Sequence, residues 1–426
     1  MWPRRPPGWG LLLLACLLAL LVPAHAHAAA PPPTRVSVLT MGPGDHPFTR
    51  FGHNAILLEW DRDGYTRTQV YNFGTFEFDG LQGVSDFMAG RFRYWLSVTN
   101  LETTVRAYSA ANRSLIAQEL ELTADERIEL ARALVENARP EHRYYDYDYY
   151  RDNCSTRVRD AIDRVVGGEL RRGVVGPGHF TFRQHTLRLV GDTPWLYFGL
   201  DIALGAPTDR PTTHWDELFL PQELHNALGH AQRVLGAERV PLVKSERSLL
   251  RANRPPLPGA PAAAWLAYLG CGTGLGLLFA GLGWGAAQKR FGRVVFGAVT
   301  ALCGASFGLL GTALAIFWAS KHWAAHANPS LLGCPPWSLA LVALGGASAL
   351  GRGGTRAARR LRLVLTASLA SSLVLLVLAL ALGLANHGHE SLRMAALFVP
   401  LWAGFCWGAR LASRAAVAGD NRATTV

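Results

Sequence analysis

Acidic residues almost vanish from the C-terminal part of this 426-residue chain: residues 256–426 hold two Asp+Glu against 13 Lys+Arg. Residues 30–255 hold 29 against 27, so the formal net charge of +11 owes nothing to the long polar stretch. A basic balance first suggests nucleic acid. Here the excess charge lies beside apolar runs, which argues against a nucleic-acid partner. Cysteine is scarce as well. Of Cys16, Cys154, Cys271, Cys303, Cys334 and Cys406, only Cys154 lies in residues 30–255. An oxidising compartment favours paired structural cysteines, and a thiol without a partner in its own domain points to chemistry. There is no 20–50-residue repeat and no glycine loop in the strand–helix context that cradles phosphate.

What is present is hydrophobic length. Residues 1–29 read as a secretory signal: Arg4 and Arg5 ahead of an apolar core Leu11–Val22, then Ala24-His25-Ala26 as a small-x-small cleavage site. A retained first helix in the same orientation is the alternative. Cys16 falls inside the apolar core and is read as part of it. After a proline-rich joint (Pro255, Pro256, Pro258, Pro261), five apolar segments follow at about 262–287, 294–318, 331–351, 361–385 and 394–411. Each has the roughly twenty residues that a helix needs to cross the hydrocarbon core, the third being the weakest. The loops after the first, third and fifth segments carry eleven Lys+Arg, the other two only Lys321 and Arg393. Positive charge stays inside, so residues 30–255 are expected outside. Gly270-x-x-x-Gly274 and Gly281-x-x-x-Gly285 in the first segment predict close helix packing, within the bundle rather than between copies.

Cys154 follows Arg151-Asp152-Asn153. Val158, Ala161, Ile162 and Val165 form a helical stripe that ends at Gly167-Gly168, and Asn153 is a favourable N-cap. The thiol then sits in the first turn on the inward face, where the positive end of the helix dipole favours thiolate. His53 opens a strand candidate, His53 to Trp60, that turns at Asp61–Gly64 into a second strand ending near Asn72-Phe73-Gly74. A thiol nucleophile needs a base, here His53, and a third polar group to fix the imidazole, for which Asn72 is the candidate. Backbone N–H groups opening the Cys154 helix would serve as oxyanion donors. Spacing alone leaves open a second reading, in which Cys154 is an inert buried thiol and His53 an ordinary strand residue 101 positions away.

Three motifs, Arg50-Phe51-Gly52-His53-Asn54-Ala55, Tyr71-Asn72-Phe73-Gly74-Thr75-Phe76 and Arg151-Asp152-Asn153-Cys154-Ser155-Thr156, resemble the periplasmic domain of the lipoprotein intramolecular transacylase (Lnb) family. The likeness continues through Pro194-Trp195, Gly199-Leu200-Asp201, Leu204-Gly205 and Phe219-Leu220-Pro221, spanning most of residues 35–235. The His-then-Cys order is also similar to lecithin:retinol acyltransferase-like and permuted NlpC-type folds. The resemblance implies an α+β, papain-like (permuted NlpC-type) Cys/His domain at 30–255, followed by an all-α five-helix transmembrane bundle at 256–426. It implies a bacterial inner-membrane protein whose Cys154 is nucleophile and His53 base. Family transacylases move the sn-2 acyl chain of a lipoprotein's diacylglyceryl group to the α-amine of the same cysteine. The substrates implied are membrane lipid and lipid-modified protein, and no cofactor is expected.

The apolar, aromatic segment Pro194–Leu200 fits either an acyl groove or plain core. The run Arg143–Tyr150 alternates Tyr and Asp and predicts a half-exposed strand leading to the Cys154 helix, after a helix opened by the capping box Thr123-x-x-Glu126. No metal site is expected. Asp201, His214, Asp216, His225 and His230 lack ligand spacing. His322 and His326 have it, at i,i+4, without an acidic third ligand; head-group contact or a cap on the site is the other reading. The expected activity is acyl transfer through a Cys154 thioester. A cell-wall peptide amidase or peptidase, and a non-enzymatic membrane assembly or sensor protein, are the alternatives.

Overall fold

The structure, a computed structural model, describes residues 31–77, 79–352, 354–384 and 389–423. The signal segment with Cys16 lies outside them. Strands β1 (Arg35–Met41), β2 (His53–Arg62), β3 (Tyr65–Thr75), β4 (Arg93–Thr99), β5 (Leu115–Leu120), β6 (Tyr144–Asp146) and β9 (Val243–Leu250) build one sheet in the order β6-β4-β3-β2-β1-β5-β9. Every neighbouring pair in it is antiparallel. A separate hairpin is formed by β7 (Gln232–Leu235) and β8 (Glu238–Pro241). The β2–β3 hairpin is tighter than the sequence suggests: both strands run up to Asp63-Gly64, whose φ values of 53° and 77° make the two-residue loop that matches strand twist.

Period-two alternation buries both sheet faces. Val36, Val38, Ile56, Leu58, Tyr71 and Phe73 face one cluster, and Leu39, Met41, Ala55, Leu57 and Val70 face the other. The helices of eight or more residues ahead of the membrane segments are α1 (Gly80–Met88), α2 (Leu101–Ala110), α3 (Ala124–Asn137), α4 (Cys154–Val165), α5 (Phe182–Leu189), α6 (Pro194–Ala203) and α7 (Pro221–His230). The predicted Thr123 capping box opens α3. Helix α4 lays Val158, Ile162 and Val165 on the Ile56–Phe73 face. Gly167 and Gly168, at φ 63° and 81°, then reverse the chain.

Five apolar helices follow, at Trp265–Gln288, Arg290–Ala319, Ser330–Ala349, Thr355–Ala381 and Ser391–Ser413, each long and apolar enough to cross a membrane. The third is broken: Pro335 and Pro336 interrupt it, so that a short turn Ser330–Gly333 and a 3₁₀ turn Pro336–Leu339 precede Ala340–Ala349. The packing of the first span corrects the glycine reading. Cβ atoms at Gly270, Gly274, Gly281 or Gly285 would meet nothing within 4 Å, whereas at Gly272 and Gly276 they would fall 2.2 Å and 2.4 Å from carbonyl oxygens of the fifth span. The close face is thus the one two residues along.

The sheet-bearing segment and the helices share buried contacts. Leu187, Val190, Tyr197 and Ile202 pack with span residues such as Phe398 and Trp402. Asp201, fully buried, accepts from Arg393 (3.0 Å twice), Arg183 (3.2 Å) and the Tyr268 hydroxyl (2.8 Å). The loop between the second and third spans docks on the same side. Trp323 donates to the Asp148 carboxylate, the Arg151 guanidinium lies 3.6 Å over its ring, and Asn328 donates to the carbonyls of Ile202 and Ala203.

Candidate functional site

Cys154 is the first residue of α4 and is 7% exposed. Asn153 caps the helix twice over. Its Oδ1 accepts the N–H groups of Ser155 and Thr156 at 2.9 Å each, while its Nδ2 donates to the carbonyls of Tyr149 and Phe219. The cap thus takes two of the N–H groups that open the helix, those of Ser155 and Thr156, out of the expected set of oxyanion donors.

His53 begins β2 after Gly52 (φ 82°), and its Nε2 lies 3.3 Å from Asn72 Oδ1. Asn72 stands one position beyond the Ile56–Tyr71 pair, at a register shift between Asn72 and Thr75. Such a bulge re-aims side chains. Asn72 Nδ2 in turn donates to the Val70 carbonyl at 3.2 Å. Gly74 (φ 86°) lies within this shift. A Cβ there would stand 3.7 Å from Cys154 Cβ and 3.1 Å from the Tyr147 ring, so a side chain at this position would crowd both.

The structure therefore brings Cys154, His53 and Asn72 together. Burial pushes the Cys154 thiol up, but the charge and hydrogen bond of His53, the Asn54 N–H and the Tyr147 hydroxyl outweigh it and hold the thiol below its ordinary pKa. Tyr147 is the member that sequence reasoning missed. The Tyr/Asp run forms a strand only over Tyr144–Asp146; Tyr147 then leaves the sheet and turns to the sulfur. Burial, then the Cys154 charge, raise its own pKa well above normal, so its hydroxyl keeps its proton.

A groove of about 520 Å³ opens on His53 and Asn72, lined also by Phe48, Phe76, Tyr108 and Arg113. From the sulfur an aromatic line leads away. Tyr147 stacks on Tyr94 (centroids 4.1 Å apart), Tyr94 meets Phe92 (5.4 Å), Phe92 meets Phe87 (6.2 Å), and Phe87 meets Phe317 near the end of the second span (6.3 Å). His322 and His326 do not form a metal site: their Nε2 atoms face the carbonyls of Phe87 and Ser320. Segment Pro194–Leu200 lies in α6, with Tyr197 buried against the spans and Trp195 68% exposed.

Residues 23–190 match the family model of the Lnb N-terminal periplasmic domain. The matched stretch includes Cys154, His53 and Asn72, whereas the Pro194–Pro221 motifs lie beyond it. No curated protein and no solved structure matches the chain.

Proposed function

From an Lnb-type periplasmic segment carried on five candidate membrane-spanning helices, we propose that this protein is a membrane-anchored, cysteine-dependent acyltransferase. The domain at 30–255 is read as a papain-like, permuted NlpC-type Cys/His unit, and 256–426 as its membrane domain. The observation that carries the proposal is the Cys154–His53–Asn72 chain, with the thiol held below its ordinary pKa.

Nε2 of His53 is engaged by Asn72, which leaves Nδ1 to take the thiol proton. The Cys154 thiolate attacks the carbonyl carbon of an acyl ester, and the C=O electron pair moves onto oxygen. The Asn54 N–H and the Tyr147 hydroxyl, both turned to the sulfur, are donors available to that oxyanion. Collapse breaks the C–O bond, His53 returns its proton to the leaving alkoxide, and a Cys154 thioester remains. An amine then attacks the thioester, loses a proton through His53 and leaves as an amide, restoring the thiol.

Lipid substrates are supported by two observations. The aromatic line ends at Phe317, beside the loop that the charge pattern puts on the outer face, and Phe48 and Phe76 give the groove an apolar wall. The test is mass spectrometry of lipoprotein N-termini in cells carrying Cys154→Ala or His53→Ala. The first is expected to abolish N-acylation that depends on this protein, and the second to slow it by about 10²–10⁴-fold. Unchanged N-termini in both variants would refute the proposal.

A further inference from the structure

Away from Cys154, two loop segments come together as neighbours. Pro177 bridges Thr213, Gly178 N donates to Thr212 O (2.8 Å) and His214 N to Gly176 O (3.1 Å). Gly176 needs its φ of 112°, and a Cβ on Gly178 would lie 2.2 Å from Thr212 Oγ1. The pairing sets His179 and His214 on either side of Glu217, whose side chain is 5% exposed.

The two carboxylate oxygens of Glu217 have different surroundings. Oε1 accepts the N–H groups of His179 (2.6 Å) and Phe180 (2.9 Å) and lies 2.9 Å from His185 Nε2. His185 is itself oriented, because Arg188 Nε donates to its Nδ1 at 3.2 Å. Oε2 instead faces Nδ1 of His179 and Nδ1 of His214, each at 3.2 Å. One ligand atom from each of the three residues lies within 4.8 Å of the other two, the one such His/Cys/Asp/Glu group among the described residues. For metal–ligand bonds of about 2.0–2.1 Å, the edge of a tetrahedron is about 3.3–3.4 Å. The two N···O distances of 3.2 Å are close to that edge.

We propose that His179, His214 and Glu217 bind a divalent transition metal of the zinc class, leaving a fourth position open. Two imidazoles and one carboxylate favour zinc over the oxygen-seeking magnesium and calcium. The outer contacts of Oε1, with His185 and two backbone N–H groups, are the support that metal-ligating carboxylates usually have. All three residues, together with Arg172 and Arg239, line a cavity of about 700 Å³, which has room for a fourth ligand. The strap carrying two of the ligands also supports the start of α4: Leu218 O accepts from Ser155 Oγ (2.7 Å) and Phe219 O from Asn153 Nδ2 (2.9 Å). A bound ion would fix that strap.

The test uses the full chain in detergent, stripped with a chelator and titrated with zinc chloride, with elemental analysis and a thermal-unfolding curve at each step. One ion per chain and a rise in unfolding temperature are expected. His179, 74% exposed, can be replaced without disturbing the core. His179→Ala is expected to weaken binding by at least about tenfold, and Cys154→Ala to leave it intact. Three results would overturn the proposal: no saturable binding by the wild type, wild-type affinity in both His179→Ala and His214→Ala, or loss of binding in Cys154→Ala, which would put the ion at the thiol.

Discussion

At the scale of single residues, Cys154 shows how a buried thiol is kept ionisable. Desolvation alone would raise its pKa. Three donors from two places meet the sulfur: His53 and the N–H of Asn54 at the start of β2, and Tyr147 just after β6. A depressed pKa means that thiolate survives to lower pH. The rate of alkylation by iodoacetamide is therefore expected to rise with pH at a midpoint below that of an ordinary thiol. In His53→Ala, the charge and the hydrogen bond are gone and burial remains, so the midpoint should move up. A stopped-time mass-spectrometric pH profile of both proteins reads this directly; coincident profiles would detach His53 from the thiol. Cys154, His53 and Asn72 were legible because residue type, capping and strand ends point to them. Tyr147 was not, since an alternating Tyr/Asp run has the period of a strand up to the residue where the chain leaves the sheet.

Whole elements were legible where their signals are local. Asn153 as cap, the Gly167-Gly168 stop, the Thr123 capping box and the five apolar helices all follow from short windows of sequence. Which face of a glycine-rich helix meets its neighbour does not, because every face of the first span offers small residues. The partner decides: Gly272 and Gly276 lie against Leu397 and Pro400, and Gly404 of the fifth span returns the contact against Gly276. Backbones that close together leave no room for a side chain. Gly276→Leu is expected to cost about 1–3 kcal/mol through overpacking. Gly274→Leu, which meets open space, should stay within about 0.5 kcal/mol of wild type. Thermal unfolding of the two variants in one detergent compares them, and equal losses would contradict the assigned face. The same reasoning explains the Glu217 cluster. His179 and Glu217 are 38 positions apart, and only the pairing of two irregular segments brings them together.

At the scale of the molecule, the polar segment and the helices share a core through Asp201. Its carboxylate has no exposure and takes bonds from Arg183 on its own segment and from Tyr268 and Arg393 on two spans. Charge scattered along the sequence as Asp201, Arg183 and the isolated outer Arg393 is thus gathered into one junction. Asp201→Ala would remove the buried carboxylate that joins Arg393 and Tyr268 to Arg183, while Arg183 keeps its pair with Asp209, a loss of about 3–5 kcal/mol by analogy with broken buried pairs. Limited proteolysis is the measurement: faster cleavage between residues 250 and 265 is expected as the two parts separate. Wild-type cleavage rates would show that the junction carries no stability.

The wedge of Trp323 between Asp148 and Arg151 bears on how this protein can be handled. A fragment ending before the first span would lose that ring, which Tyr150 and Phe182 also touch, together with the apolar cover over Leu187, Val190 and Ile202. Excised in water, it would carry an exposed apolar flank. The helices are a missing wall of the periplasmic part, and an inactive soluble fragment would say nothing about the chemistry of the intact chain.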